Sequence, residues 1–460
     1  MSDNFIKKNK NDDNYKGKLN PELNLLLYTF NAEANLFNYK KNEVLKVTHK
    51  TKDKCSFYCR DIYSNNINNY TKQIDIDQNS EILFKARKSI NGYYELINPI
   101  FRYSNLDIDS INKLENKMWY VLPSQKGSCV FENENEPYNL SEGDIIRFGI
   151  KFYEVIKKNV NIIPSQYDKI NPINKINEKF GKVLYPPLEK EVKNISKEKK
   201  QKQDDDNNED DNDNINEDND GFNSETDCRI CYYSGTTKEN PKLKLCKCKT
   251  LIHYKCLKSF LKKHIEISEN SKSTVTTYKC DKFNCEVCQE IYPNKFRIKY
   301  DENEIKEYSL IDVIEPWETN FIILESLPFI EQHFNKKKIF VIKLINDKDI
   351  TIGRYTQNDI IDDELTVSRE HAILKYDTET GHVNIINKGT FGTQVLIKNN
   401  IRLNIDEKIS IQAGKTYINI EIEESKDKSN SQSSDENSEV NTTKDKTSDD
   451  INTSKAINIY

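Results

Sequence analysis

Seven cysteines and one histidine between Cys228 and Cys288 are the residues of this chain best placed to do chemistry. They form four short pairs: Cys228-x2-Cys231, Cys246-x-Cys248, His253-x2-Cys256 and Cys285-x2-Cys288. Thiolates and neutral imidazole are donors that zinc prefers, and four pairs supply what two tetrahedral ions need. The whole chain has eleven cysteines, so seven in one register is a poor match to chance. A sequential assignment gives the first two pairs one ion and the last two the other. An interleaved assignment satisfies tetrahedral coordination equally well. Four protein donors per ion leave no place for water, which makes the zinc structural. Cys280 and His264 are surplus and read as non-ligands. Cys55, Cys59 and Cys129 stand apart from any histidine cluster and read as core thiols.

Cys228-Arg-Ile-Cys231, the Cys-Lys-Cys after Leu245, Ile252–Leu261 (IHYKCLKSFL) and Asn284–Pro293 (NCEVCQEIYP) resemble a RING-CH (RING-variant) zinc finger, over roughly Thr226 to Arg297. That resemblance implies an interleaved cross-brace. One zinc then takes Cys228, Cys231, His253 and Cys256, and the other takes Cys246, Cys248, Cys285 and Cys288. It also implies a ubiquitin ligase that docks a ubiquitin-conjugating enzyme through Ile230 and Phe260. The sequence departs from the family in spacing, with four residues between Cys248 and His253 and twenty-eight between Cys256 and Cys285. The short spacing, and Phe283 two places before the seventh ligand, suit a plant-homeodomain finger. Gln289 stands where many RING fingers carry a basic residue.

Further on, Gly353-Arg354, Ser368-Arg369-Glu370-His371, Gly389-Thr390, Gly392-Thr393 and Ile409–Gly414 resemble a forkhead-associated (FHA) domain, over about Phe340 to Ile422. The resemblance implies a β-sandwich whose loops grip phosphothreonine peptides. Arg354 offers a guanidinium fork for phosphate oxygens, Ser368 a hydroxyl and Arg369 a further donor. Thr390, carried over from the family motif, lies on the facing loop. His371 is expected to tie loops together, and Gly353 and Gly392 to serve backbone geometry. Phe391 replaces the asparagine with which the family holds the peptide backbone. Leu140–Val155 (LSEGDIIRFGIKFYEV) resembles the closing hairpin of the same fold, and Ser124–Val130 falls where a Gly-Thr loop would lie. No Gly-Arg or Ser-Arg-x-His precedes them, so the N-terminal region reads at most as a degenerate copy without phosphate groups, and otherwise as a β-rich domain of another kind.

Positioning these groups takes several elements, and 460 residues suffice for two to four domains. The expected fold is multidomain and mainly β, with a small α+β zinc finger. Residues 1–22 read as disordered and 23–160 as a β-rich domain, degenerate FHA-like, built from short alternating strands. Residues 161–225 read as a disordered linker, where Lys193–Lys202 is basic and Asp204–Asp220 acidic, with almost nothing apolar to bury. The finger occupies 226–298, a connector 299–336 and the FHA sandwich 337–424. The Ser/Asp/Lys-rich tail 425–460 reads as disordered.

Hydrophobic residues make up 36% of the chain, and the formal net charge of −5 speaks against a general nucleic-acid coat. No apolar run approaches the roughly 18 residues that span a bilayer. The N-terminus lacks a secretory core, which points to cytosol or nucleus and to metal-binding rather than disulfide-bonded cysteines. The expected function is a two-zinc RING-CH ubiquitin ligase whose FHA domain recruits threonine-phosphorylated partners. A non-enzymatic phosphopeptide-binding adaptor with a plant-homeodomain-like finger is the alternative.

Overall fold

The computed structural model describes residues 21–30, 44–61, 66–71, 80–89, 93–97, 117–122, 137–160, 190–192, 227–249, 251–301, 304–327, 336–390, 392–398 and 400–424. The segments expected to be disordered lie outside the described residues, apart from Pro21 and Glu22, which open a strand, and Lys190–Val192. Cys129, the Ser124–Val130 segment and Phe391 also lie outside them.

The chain divides into two compact units. Unit 1 combines strands from both ends of the sequence. From the N-terminal side come β1 (Pro21–Phe30), β2 (Val44–Thr51), β3 (Cys55–Asp61), β4 (Ile67–Tyr70), β5 (Ser80–Lys88) and β6 (Tyr94–Ile97). From the C-terminal side come β25 (Ile401–Leu403), β26 (Lys408–Ala413) and β27 (Thr416–Glu424). One sheet runs β26-β27-β1-β2 and the other β25-β6-β5-β3-β4. In β1, Leu23, Leu25 and Leu27 are buried with half-buried residues between them, the period of two that a strand on a core requires. Tyr58 and Phe84 stack at 4.7 Å, and the Tyr94 hydroxyl donates to the Thr51 carbonyl at 3.2 Å, joining the sheets. Cys59 is buried there and Cys55 half-buried.

Unit 2 is built on the same plan with its chain segments in the opposite order. Its first sheet contains the run β9-β10-β18-β19, from Ile145–Phe148, Lys151–Asn159, Phe321–Ser326 and Lys337–Lys343. Its second runs β8-β23-β22-β20-β21, from Tyr138–Asn139, His382–Asn387, Ala372–Asp377, Ile350–Gly353 and Ile360–Ile361. Strand for strand these match the two sheets of unit 1, and each pairing is antiparallel in both except the last, β20 with β21, which is parallel. Each unit therefore takes six strands from one part of the chain and closes with three from a distant part. The hairpin legible at Leu140–Val155 closes the sandwich that carries Arg354, and β26–β27 closes the sheet of β1 and β2. Residues 23–160, read as one domain, contribute strands to both units. β24 (Thr393–Leu396) and β7 (Met118–Val121) continue the first sheet beyond β9.

The segment read as a zinc finger belongs to unit 2. The ribbon β12 (Lys242–Leu243) and β13 (Ile252–His253) runs directly into α1 (Tyr254–Lys262). Leu257 and Leu261, one turn apart on that helix, are buried. The long interval between Cys256 and Cys285 holds a hairpin, β14 (Ile265–Glu269) and β15 (Val275–Cys280), whose second strand pairs with β19 and so extends the sandwich sheet. β16 (Lys295–Asp301) pairs with β17 (Glu304–Ser309) and with β11 (Lys190–Val192). The expected connector 299–336 thus supplies the end of β16 and all of β17 and β18. Phe321, Ile323, Ile339 and Val341 lie in one cluster with Leu257, Phe283 and Phe296. β18 is buried on both faces, which explains its unbroken apolar run Phe321–Leu324. Among the described residues no helix is long and apolar enough to cross a membrane.

Candidate functional site

The four ligand pairs converge as two interleaved groups. Donor atoms of Cys228, Cys231, His253 and Cys256 lie within 4.8 Å of one another, as do those of Cys246, Cys248, Cys285 and Cys288. Cys280 and His264 join neither group. Cys280 is buried on β15, where burial pushes its thiol up, and His264 sits edge-on to Phe260.

The two flanking pairs are held by the same local device. In each, the amide after the second cysteine donates to the carbonyl of the first: Tyr232 to Cys228 at 2.8 Å and Gln289 to Cys285 at 2.9 Å. Tyr232 and Gln289 both have positive φ, at 57° and 60°, so the chain reverses and turns its amides toward the first sulfur. Burial opposes ionisation of Cys285, but the Cys288 and Val287 amides and the Arg229 guanidinium outweigh it and bring the thiol down to about 6. Cys228 comes down to about 7 against the same burial, through the amides of His253, Cys231 and Ile230. Both first cysteines are shifted toward the thiolate, the form that binds metal.

The spacing of the donors fits zinc. A tetrahedral ion with sulfur at about 2.3 Å and imidazole nitrogen at about 2.0 Å sets sulfur–sulfur distances near ~3.8 Å and sulfur–nitrogen near ~3.5 Å. Cys248 and Cys285 sulfurs are 3.8 Å apart, and Cys231 sulfur lies 3.3 Å from His253 Nδ1. His253 Nε2 faces the Gly235 carbonyl at 2.5 Å. A carbonyl only accepts, so Nε2 carries the proton and Nδ1 is left free as a metal ligand. Arg229 donates from Nη1 to Cys285 sulfur at 3.3 Å and from Nη2 to the Tyr292 hydroxyl at 3.1 Å, setting positive charge beside a four-cysteine group.

On the finger surface Ile230 is 39% exposed and Phe260 half-buried against the core. Val287, between Cys285 and Cys288, is 74% exposed, an apolar side chain that sequence reasoning passed over. The Gln289 side chain is bonded locally, donating to the Glu286 carbonyl at 3.0 Å and accepting from Asn284 at 2.6 Å.

The second group of candidate residues gathers at one end of the unit 2 sandwich. The Arg354 amide donates to the Ser368 carbonyl at 3.0 Å, and the Tyr355 amide to the Arg369 carbonyl at 3.2 Å. Ser368 Oγ accepts from the Thr390 amide at 3.0 Å, bringing the third loop alongside. His371 ties these loops from beneath. Its Nδ1 accepts from the Ser368 amide at 2.9 Å, and Nε2 donates to the Gly392 carbonyl at 3.1 Å. Burial lowers its pKa to about 4, so it is neutral at pH 7 and keeps that bonding pattern. Arg354 is half-buried, and among the described residues its Nε is a buried donor with no partner. Arg369 lies over the Tyr355 ring at 5.2 Å. A side chain at Gly353 would collide with the Arg369 carbonyl, so this crossing of loops requires glycine.

Residues 350–420 match the family model of the FHA domain. The FHA match follows the chain, and it runs from unit 2, up to Asn399, into unit 1. The FHA loops that hold Arg354, Ser368 and Thr390 rest on β9 and β10. Phe148 packs edge-on to His371 at 5.4 Å, and Thr366 Oγ1 accepts from the Ile150 amide at 3.1 Å. No RING-CH match accompanies the FHA match. No curated protein and no solved structure matches the chain.

Gly149 joins β9 to β10 at φ +59°, and a Cβ there would meet the Thr366 backbone at 2.6 Å. Gly149→Ala is expected to cost about 1–3 kcal/mol through this strain and the displacement of Thr366. Urea unfolding of the full chain checks the value.

Proposed function

We propose that the protein reads threonine-phosphorylated partners with its FHA loops and acts on them as a RING-CH type ubiquitin ligase through a two-zinc finger. Arg354 and Arg369 supply charge, Ser368 a hydroxyl, and the Thr390 loop the facing wall of the phosphate site. The observation that carries this half is the buried, unpartnered Nε of Arg354 beside Ser368 within a segment that matches the FHA family model. Phosphate oxygens satisfy such a donor with charge-assisted bonds.

The ligase half rests on the exposed Ile230 as an apolar contact for a ubiquitin-conjugating enzyme, with Val287 exposed between the cysteines of the other flanking pair. With both zinc ions fully coordinated, the finger contributes proximity and orientation of the thioester rather than covalent catalysis. A second reading is favoured by Gln289, uncharged and bonded to its own loop, which leaves the finger without a cation after the eighth ligand. In that reading the finger binds a protein and the molecule is an adaptor.

Two substitutions separate the readings. Arg354→Ala is expected to lower affinity for a phosphothreonine peptide pool by at least about tenfold, the loss of a charged hydrogen-bonding pair. Ile230→Ala is expected to abolish autoubiquitination across a panel of conjugating enzymes while leaving peptide affinity unchanged. Chain formation no higher in wild type than in Cys231→Ser replaces the ligase by the adaptor. Equal peptide binding by wild type and Arg354→Ala removes the FHA half.

A further inference from the structure

The hairpin β14–β15 lies between the sixth and seventh zinc ligands, and its far end reaches the loop that carries Arg354. At the turn, Asn270 Oδ1 accepts the Thr274 and Val275 amides at 2.8 and 3.0 Å. Asn270 Nδ2 donates to Thr274 Oγ1 at 2.9 Å and onward to Asp359 Oδ1 at 3.1 Å. Lys272 Nζ reaches the same Oδ1 at 2.8 Å. The other oxygen, Oδ2, accepts the Thr351 amide and hydroxyl, each at 3.0 Å. Asp359 is thus a buried carboxylate held between β20 and the finger's hairpin. Its side chain is only 2% exposed against 45% for Lys272.

The neighbouring residue carries this anchor to the phosphate loops. Asn358 Nδ2 donates to the Tyr355 carbonyl at 2.8 Å and the Arg369 carbonyl at 2.7 Å. Tyr355 follows Arg354, and Arg369 follows Ser368. Asn358 and Asp359 therefore tie three things together: the two loops that present the phosphate groups, the sandwich strand β20, and the finger hairpin. At its other end the hairpin terminates in Cys280, inside the cluster that holds Cys228, Cys246 and Cys285.

We infer that the hairpin of the zinc finger is a brace for the phosphate-binding loops, with Lys272 and Asn270 as positioning residues that act through Asp359. The inference rests on the phosphothreonine reading of those loops and adds what regulates them. A finger that holds its metal presents the turn at the right height, and the loops are pre-organised. A finger that loses it withdraws the brace, and the ligand must order the loops itself. Coupling is reciprocal, so a bound phosphopeptide also stabilises the metal-loaded finger.

The test uses the full chain and Lys272→Glu, which places a like charge on Asp359 from a half-exposed position. Affinity for a peptide pool with one fixed phosphothreonine and randomised flanks is expected to fall about fivefold or more, and Lys272→Arg to restore it. Zinc content, by elemental analysis, stays at the wild-type value. Amide exchange is read in parallel. Residues 354–358 and 368–369 are expected to exchange faster in Lys272→Glu, while β22 keeps its protection. Affinity within twofold of wild type together with unchanged exchange at 354–358 overturns the brace. Loss of binding in Arg354→Ala with none in Lys272→Glu overturns it while the phosphothreonine reading stands. Where the pool does not bind wild type at all, that reading fails and amide exchange alone decides the brace.

Discussion

Removing zinc from the purified protein is expected to unfold the segment from Cys228 to Cys288 and to loosen β18 and β19 with it. Structural zinc in small finger domains supplies roughly 10–16 kcal/mol of folding free energy. Whole domains are stable by only about 5–15 kcal/mol, so the finger has no reserve with which to survive chelation. The effect spreads because the finger and the sandwich share one core. Phe321, Ile323, Ile339 and Val341 of the sheet sit in one cluster with Leu257, Phe283 and Phe296 of the finger. Without the finger, the outer face of two central strands is left to water. The measurements are elemental analysis, with two zinc ions per chain expected, and amide exchange across Phe321–Lys343 before and after chelation. Cys231→Ser is expected to lose one ion, since its donor atom groups only with Cys228, His253 and Cys256. A protein with no stoichiometric metal, or with unchanged exchange after exhaustive chelation, contradicts the assignment.

Residue chemistry was the legible part of this chain. The ligand pairs could be read because a metal site restricts both residue type and spacing, and the two interleaved groups comprise the residues that spacing singled out. Arg354, Ser368 and Thr390 come together for a similar reason: glycines and a buried histidine are needed wherever loops cross closely. Pairing of distant strands was not legible. Leu140–Val155 reads as a hairpin from its turn and its apolar run, but nothing local says that β10 lies against β18 rather than a nearer strand. Alternation specifies a face and leaves the partner open. The brace was invisible for a different reason. Asn270 and Lys272 sit in a polar turn, which sequence reading treats as solvated. The twenty-eight-residue interval around them looked like a departure from a finger's spacing. It holds instead the strand by which the finger joins the sheet.

Excising residues 337–424, the span a sequence reading assigns to the FHA sandwich, is expected to yield a chain that does not fold. The span carries β19 to β24, but β25, β26 and β27 belong to unit 1. The hairpin strands that complete the two sheets of the sandwich around Arg354 are β8, β9 and β10, more than a hundred and fifty residues earlier in the chain. Ile145, Ile146, Phe148, Phe152, Tyr153 and Val155 are each no more than 3% exposed in the intact unit. Full burial of such side chains contributes about 1.5–3 kcal/mol each, so removing six of them forfeits an amount comparable with the roughly 5–15 kcal/mol by which an ordinary domain is stable. Polar contacts go with them. The Tyr153 hydroxyl donates to Asp362, and the Arg147 guanidinium donates to the Gly149 carbonyl and to Gln394. Replacing β25–β27 in the excised span by residues 137–160, with residues 317–336 restored ahead of it to supply β18, is expected to recover cooperative unfolding and the dispersed amide spectrum of a sandwich. An excised 337–424 that folds cooperatively by itself means that its own last hairpin can close it, and that the exchange of hairpins is not the arrangement the sequence prefers.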